Sequence, residues 1–373
     1  MVQNIMRPEL YRFGSCEEFA KELHLCGEDL VLTNRYIYDP YFGKLGLDVK
    51  LLYQETYGAG EPTDVMAERI IADAAGLGGY RRIIAIGGGT IIDIAKAMAV
   101  GSDGGSMDEL YRAMPDLKKS CELIIVPTTC GTGSEMTNVA VFNRTRLGTK
   151  MGMVSEAMYA DKAVLIPELL SSLPFGVFAA SSIDALVHAV ESCLSPKATA
   201  YTRIFGYQAI EMIISGYQKI AADGPESRYA LLEDFLVASN FAGISFATAG
   251  CAAVHAMAYP LGGKYHVSHG ESNYAIFIGV MKNYMEIKSY GEISVMNHRL
   301  AKLLGCSEDS VYDCLDVLLN QVLPRKSLHE YGMTKLELAE FSKSVVKTQG
   351  RLLAGSFVPL HYDRILKIYT ELY

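Results

Sequence analysis

Four residues in the second half of the chain, Asp184, His188, His255 and His269, have the types and spacing of a metal site. Asp184 and His188 stand four apart in SSIDALVHAVESCL, so helical spacing puts them on one face. His255 and His269 bracket HAMAYPLGGKYHVSHGESN, whose glycines would let the chain turn back on itself. One carboxylate and three imidazoles form a donor set that suits Fe2+ or Zn2+ and leaves room for a substrate oxygen. Each pair also has a plainer reading, a helix-surface ion pair for the first and core or loop histidines for the second. The apolar neighbours Ile183, Leu186, Val187 and Val190 weigh against a surface pair, because a charge among them is costly unless paired or metal-bound. Glu191 continues the polar stripe, either as a partner of the ligands or as a solvated residue. His266 shows that not every histidine here need be a ligand.

Two glycine-rich turns in the first half suggest a second chemistry. Gly87, Gly88, Gly89 and Thr90 follow the apolar run RIIAI and open the helical pattern IIDIAKAMAV. Glycines there let a ligand approach the backbone, a helix N-terminus presents free N–H groups to a phosphate, and the Thr90 hydroxyl adds a donor. Tight strand-to-helix turns need glycine in any case, so this turn alone is only moderately specific. The next apolar run, LIIVP, leads into TTCGTGSE (128–135), crowded with hydroxyls and glycines. Two such turns at adjacent strand ends would form the crevice where open α/β sheets bind nucleotides. The GxGxxG fingerprint is absent, which leaves a nucleotide site of another lineage or two structural turns.

These residues need a scaffold, and its outline is legible. Ser15 to Glu18 reads as a capping box opening a helix to about Leu25. Strands are expected at 30–33, 49–53, 82–86, 123–127 and 163–166, with helices from Pro62 to Gly76 and after Gly89. Runs apolar on both faces, alternating with helices, predict a parallel sheet. After Pro174 the pattern becomes helical, over 177–194, 199–221, 227–248, 272–290, 295–304, 309–323, 335–349 and 361–372. The expected organisation is an α/β dinucleotide-binding domain (1–175) followed by an all-α metal-binding domain (176–373).

The chain of 373 residues is half hydrophobic and one-fifth charged, a globular composition. A net charge of −8 argues against a nucleic-acid or anionic-membrane surface. No apolar run reaches the roughly 18 residues of a membrane span, and the N-terminus lacks a secretory h-region, so a cytoplasmic protein is expected. Eight cysteines lack any framework spacing and read as reduced, buried small residues. Cys130 and Cys251 lie beside the motifs, but no histidine-paired pattern supports a catalytic thiol.

GGGTIIDIAK (87–96), PTTCGTGSE (127–135), DALVHAVE (184–191) and the segment from His255 to Asn273 together resemble the iron-containing, or group III, alcohol dehydrogenases. The motifs keep the family's order over about half the chain. The wording of VHAMAYPLGGKYHVSHGE and LHEYGM (328–333) is similar to the 4-hydroxybutyrate dehydrogenase branch. The resemblance implies a metal held by Asp184, His188, His255 and His269, and NAD(H) as the redox partner. It implies Gly87, Gly88, Gly89 and Thr90 at the pyrophosphate with Asp93 nearby, and Thr128, Thr129, Thr132 and Ser134 along the adenosine and nicotinamide path. It places Lys150 as a cofactor contact, and it implies a homodimer acting on a small hydroxy acid or aldehyde.

Two positions depart from the family. Many members carry Asp after the second-from-edge strand to select NAD; this chain has Asn34, which can bond a ribose but does not repel a 2′-phosphate. Many also carry a proton-relay histidine four residues after the third ligand; here that residue is Tyr259. Tyr259, His266 or water would then move the proton. Lys264, within the same segment, is a candidate for a substrate carboxylate, although a solvated surface lysine is the commoner reading, and Arg351 is more remote.

Three other readings compete. A diol or lactaldehyde reductase would use the same machinery. A dehydroquinate-synthase-like lyase would need a dense cationic cluster, and 251–273 offers only Lys264. A metal hydrolase would leave both glycine turns without a purpose.

Overall fold

The computed structural model describes residues 7–101 and 106–373. The N-terminal stretch read for a secretory signal begins with residues 1–6, which lie outside the described residues. The described residues up to Leu173 form one compact unit and Pro174–Tyr373 form another.

The first unit is built on a six-stranded parallel sheet. Its strands are β1 (Glu9–Arg12), β2 (Asp29–Thr33), β3 (Lys50–Tyr53), β4 (Arg82–Gly87), β5 (Glu122–Pro127) and, after a hairpin of β6 (Val139–Arg144) and β7 (Thr149–Val154), β8 (Lys162–Leu165). The sheet order is β1-β8-β5-β4-β2-β3. Its helices are α1 (Cys16–Glu22), α2 (Arg35–Tyr41), α3 (Asp64–Gly76), α4 (Gly89–Val100) and α5 (Met107–Arg112).

Alternation along each strand divides the apolar side chains between two cores. Leu30, Leu32, Ile83, Ala85, Leu123 and Ile125 pack with α3, α4 and the hairpin. Val31, Ile84, Ile86, Ile124 and Val126 pack on the other face with α1 and α2. Both faces are buried, so the central strands read as unbroken apolar runs. At their start, Arg82 makes two 2.6 Å bonds to the buried Asp29 carboxylate and joins β4 to β2.

Several details differ from the sequence expectation. Ser15 caps α1 by accepting from the Glu18 N–H, but the Glu18 carboxylate returns to the Gly14 N–H, so the box closes one residue early. The helix ends at Glu22 rather than near Leu25. β1, the β6–β7 hairpin, α2 and α5 were not expected. β1 is an exposed edge with polar ends, and α2 carries Pro40 inside a short helix.

In the second unit the described residues form helices and no strand. These are α6 (Phe175–Leu194), α7 (Ala200–Asp223), α8 (Leu232–Ala249), α9 (Ala253–Tyr265), α10 (His269–Ile287), α11 (Glu292–Leu304), α12 (Val311–Val322), α13 (Lys335–Thr348), α14 (Gly350–Leu353) and α15 (Tyr362–Leu372). α6 is long and apolar enough to resemble a membrane span, yet 83% of that window is buried inside the bundle.

The segment expected to fold back through its glycines instead forms α9, which runs through Pro260, Gly262 and Gly263. The reversal belongs to His266, whose φ of 55° places it in the left-handed region. Histidine is among the few non-glycine residues enriched in that region.

Candidate metal centre and nucleotide turns

Helix α6 presents Asp184 and His188 on one face, as their spacing requires. His255 lies in the first turn of α9, and His269 is the first residue of α10. One donor atom from each of the four falls within 4.8 Å of the others.

The approach of α10 to α6 depends on Gly270. A Cβ at that position would lie 2.2 Å from the Ala180 carbonyl oxygen and 3.3 Å from Asp184 Cβ. Only glycine allows the two backbones so close, and that contact sets His269 Nε2 3.8 Å from Asp184 Oδ1.

The four donors are held by a ring of fixed partners. Glu191 Oε2 lies 2.7 Å from His255 Nδ1 and also accepts the Ala252 N–H, while Oε1 accepts the Val254 N–H. This buried carboxylate therefore caps α9 and holds the His255 Nδ1–H, which turns Nε2 toward the other donors. That Nε2 is 2.9 Å from His188 Nε2. Asn273 Nδ2 donates to Asp184 Oδ1 at 2.6 Å and sits 3.3 Å from His269 Nε2. Phe246 stacks on the His188 ring, with centroids 4.3 Å apart and planes 16° apart.

The electrostatics agree with a cation site. Burial pushes the Asp184 carboxyl up, but His188, His269, His255 and the Asn273 amide outweigh it and hold the group below its usual range. Burial would push His255 down, yet Cys251 and Glu191 raise it well above the usual imidazole value. Asp184, His188 and His255 are buried, whereas the His269 side chain is 35% exposed, which gives the cluster one open side. A second grouping of Glu191, Cys251 and His255 shares one ligand with the first. Its carboxylate is already committed to Ala252, Val254 and His255, so it serves as support.

Tyr259 follows His255 by four residues on α9 and is partly buried. Lys264, considered as a carboxylate anchor, is held by the Glu337 carboxylate. His266 forms the left-handed cap of α9, and Arg351 is exposed on α14.

In the sheet unit the two turns meet. β4 and β5 pair through Gly87 and Pro127, so the turns leave adjacent strand ends. Cβ atoms on Gly88 and Gly89 would lie 3.4 and 3.2 Å from the methyls of Thr129 and Thr132. A cavity of about 190 Å³ beside them is lined by Asn34, Tyr36, Gln54, Gly60, Gly88, Gly89, Thr90 and Ile91. The N-terminus of α4 opens on it, with backbone N–H groups free of helical partners.

Of the expected cofactor residues, Gly87, Asp93, Thr128, Thr129, Thr132, Ser134 and Lys150 do not line this cavity. The Thr90 hydroxyl, expected to face a phosphate, donates to the Gly60 carbonyl at 3.0 Å. Lys150 pairs with Glu61. Asp93 accepts from the Ser134 hydroxyl and the Val141 N–H. Lys96 is fully buried and donates to Ser134, Thr137 and the Val139 carbonyl. Burial pushes Asp93 up to about 6 against the pull of Lys96, and pushes Lys96 down to about 8 against the pull of Asp93. Asp93, Lys96 and Ser134 thus bolt the second turn and the hairpin to α4.

Sequence reasoning missed Asn273 and Gly270 and left Glu191 undecided. Asn273 stands four residues after His269, a helical spacing that signals a shared face.

Residues 8–167 match the family model for iron-containing alcohol dehydrogenase, and residues 178–373 match the model for the C-terminal part of that family. The chain is 45% identical over 368 residues to 4-hydroxybutyrate dehydrogenase of Clostridium kluyveri, covering 99% of both chains. It is 34% identical to long-chain-alcohol dehydrogenase 1 of Geobacillus thermodenitrificans, covering 96% of this chain and 93% of that one. Among solved structures it shares the fold of a sulfoacetaldehyde reductase from Bifidobacterium kashiwanohense in complex with NAD+. That likeness has a TM-score of 0.85 at 22% identity and covers 100% of this chain and 99% of the other.

Proposed function

The chain belongs to the iron-containing alcohol dehydrogenases, and from that premise we propose that it oxidises 4-hydroxybutyrate reversibly to succinate semialdehyde with NAD(H), as a cytoplasmic homodimer. The observation that carries this reading is the 45% identity to 4-hydroxybutyrate dehydrogenase along the full length of both chains. The alcohol loses a hydride to NAD+ and a proton to solvent, giving the aldehyde, NADH and H+.

Three imidazoles and one carboxylate converge with His255 Nε2 turned inward, a donor set that fits Fe2+, with Zn2+ as its competitor. When bound, the metal supplies Lewis acidity to the alcohol and the nicotinamide supplies the hydride acceptor. The chain does the rest. Glu191 fixes the His255 tautomer, and Asn273 holds Asp184. Tyr259 Oη is the group assigned to pass the proton, in the place where other members carry histidine. The α4 N-terminus, with Gly88 and Gly89, takes the pyrophosphate on its N–H groups.

The test is a panel of short aldehydes with NADH and NADPH after reconstitution with Fe2+ or Zn2+. Succinate semialdehyde should be reduced with the highest kcat/KM and with Fe2+ giving the active form. Equal rates across the panel would refute the substrate assignment.

A further inference from the structure

We infer that Glu55, not Asn34, makes this chain prefer NADH over NADPH. The inference rests on the cofactor reading above. Dinucleotide sites reject the 2′-phosphate of NADP through an acidic residue beside the ribose, and they accept it where an arginine stands nearby. Asn34 directly follows β2, which pairs with the strand that carries the phosphate turn, but its amide has no charge.

The turn after the neighbouring strand β3 supplies the charge. Asn34 lines the cavity and, although it stands at the N-cap of α2, makes no capping bond. Its Nδ2 instead donates to Glu55 Oε2 at 2.8 Å and to Gln54 Oε1 at 3.2 Å. The Arg35 backbone N–H donates to Glu55 Oε1, also at 2.8 Å. Both carboxylate oxygens are therefore fixed, one hydrogen bond behind the cavity wall formed by Asn34, Tyr36 and Gln54. Burial pushes the Glu55 carboxyl up, but the Arg35 N–H, the Asn34 amide and the Arg35 charge outweigh it, so the group stays ionised.

The obvious ally of a 2′-phosphate is Arg35, an exposed cation whose guanidinium lies 4.2 Å from the Tyr53 ring centroid. Glu55 lies against the same residue and offsets its charge. Asn34 thus acts as the clamp, and the repulsion comes from an acid twenty-one positions further along the chain.

The experiment measures NADH and NADPH dissociation constants by fluorescence for the full-length protein and Glu55→Gln, at low and high salt. Gln keeps an acceptor for Asn34 or Arg35 and removes only the charge. The wild type should favour NADH, and the preference should shrink as salt rises. Glu55→Gln should narrow the NADPH-to-NADH ratio of constants by about tenfold or more, the scale of one nearby charge at a protein surface. An unchanged ratio in a folded variant that still binds NADH overturns this inference alone. A wild type that binds neither nucleotide overturns the cofactor reading and this inference with it.

Discussion

Glu191 and His255 meet through a 2.7 Å contact, and the same carboxylate caps the helix that carries the histidine. One side chain thereby fixes where α9 begins, how the His255 ring is turned and which nitrogen faces the other ligands.

Glu191→Ala should weaken metal binding by about 10–100-fold, the usual cost of losing the partner behind a ligating histidine. It should also cost about 1–3 kcal/mol in metal-free protein, since the N–H groups of Ala252 and Val254 lose their buried acceptor. Chelator competition and urea unfolding read the two effects separately. An unaltered metal constant would mean that His255 is oriented by something else.

Gly270→Ala should push α10 away from α6, because the new methyl would collide with the Ala180 carbonyl. Overpacking of this kind costs about 1–3 kcal/mol, and the purified variant should carry less metal. Gly279→Ala is the comparison, since its methyl would meet only the movable end of Leu372. If both variants keep full metal content, the close contact does not set the ligand geometry.

Metal affinity should rise with pH through neutrality. His255 is held well above the ordinary imidazole range in the metal-free protein, so near pH 7 it carries an extra proton that a ligand must give up. Below that raised value the ion competes with a proton; above it the lone pair is free and affinity levels off. Titration calorimetry in buffers of different ionisation enthalpy should show proton release at pH 7. A heat independent of buffer would contradict the assignment.

Tyr259→Phe should lower kcat by about a hundredfold or more, within the range for loss of a positioned proton carrier. Metal content and NADH affinity should stay near wild type, and the alkaline limb of the kcat profile should move. Undiminished turnover would pass the role to His266 or to water.

The order of apolar runs and glycine turns outlined the parallel sheet because its central strands are buried on both faces. β1 and the β6–β7 hairpin gave weaker signals, since the burial of their residues is uneven and a polar edge resembles a loop. His255 and His269 were readable as residues but their connection was not. Two glycines suggested a turn where neighbouring helices sustain α9, and a histidine took the left-handed position that glycine usually fills. Glu191 could not be placed by pattern alone, because a buried capping carboxylate and a solvated one occupy the same helical stripe. The Asn34 clamp was hidden for a different reason: its partner Glu55 lies in the turn after β3, and only the pairing of β2 with β3 brings them side by side.

All four converging donors come from the helical unit, between Asp184 and His269. On the ligand set proposed above, ion content reports on the helical unit alone. A preparation with damage confined to the sheet unit can keep its full complement of ion and still consume no NADH. Conversely, a sample stripped of its ion should still take up nucleotide. Purity judged by metal analysis and competence judged by nucleotide titration are separate assays, and an active fraction needs both.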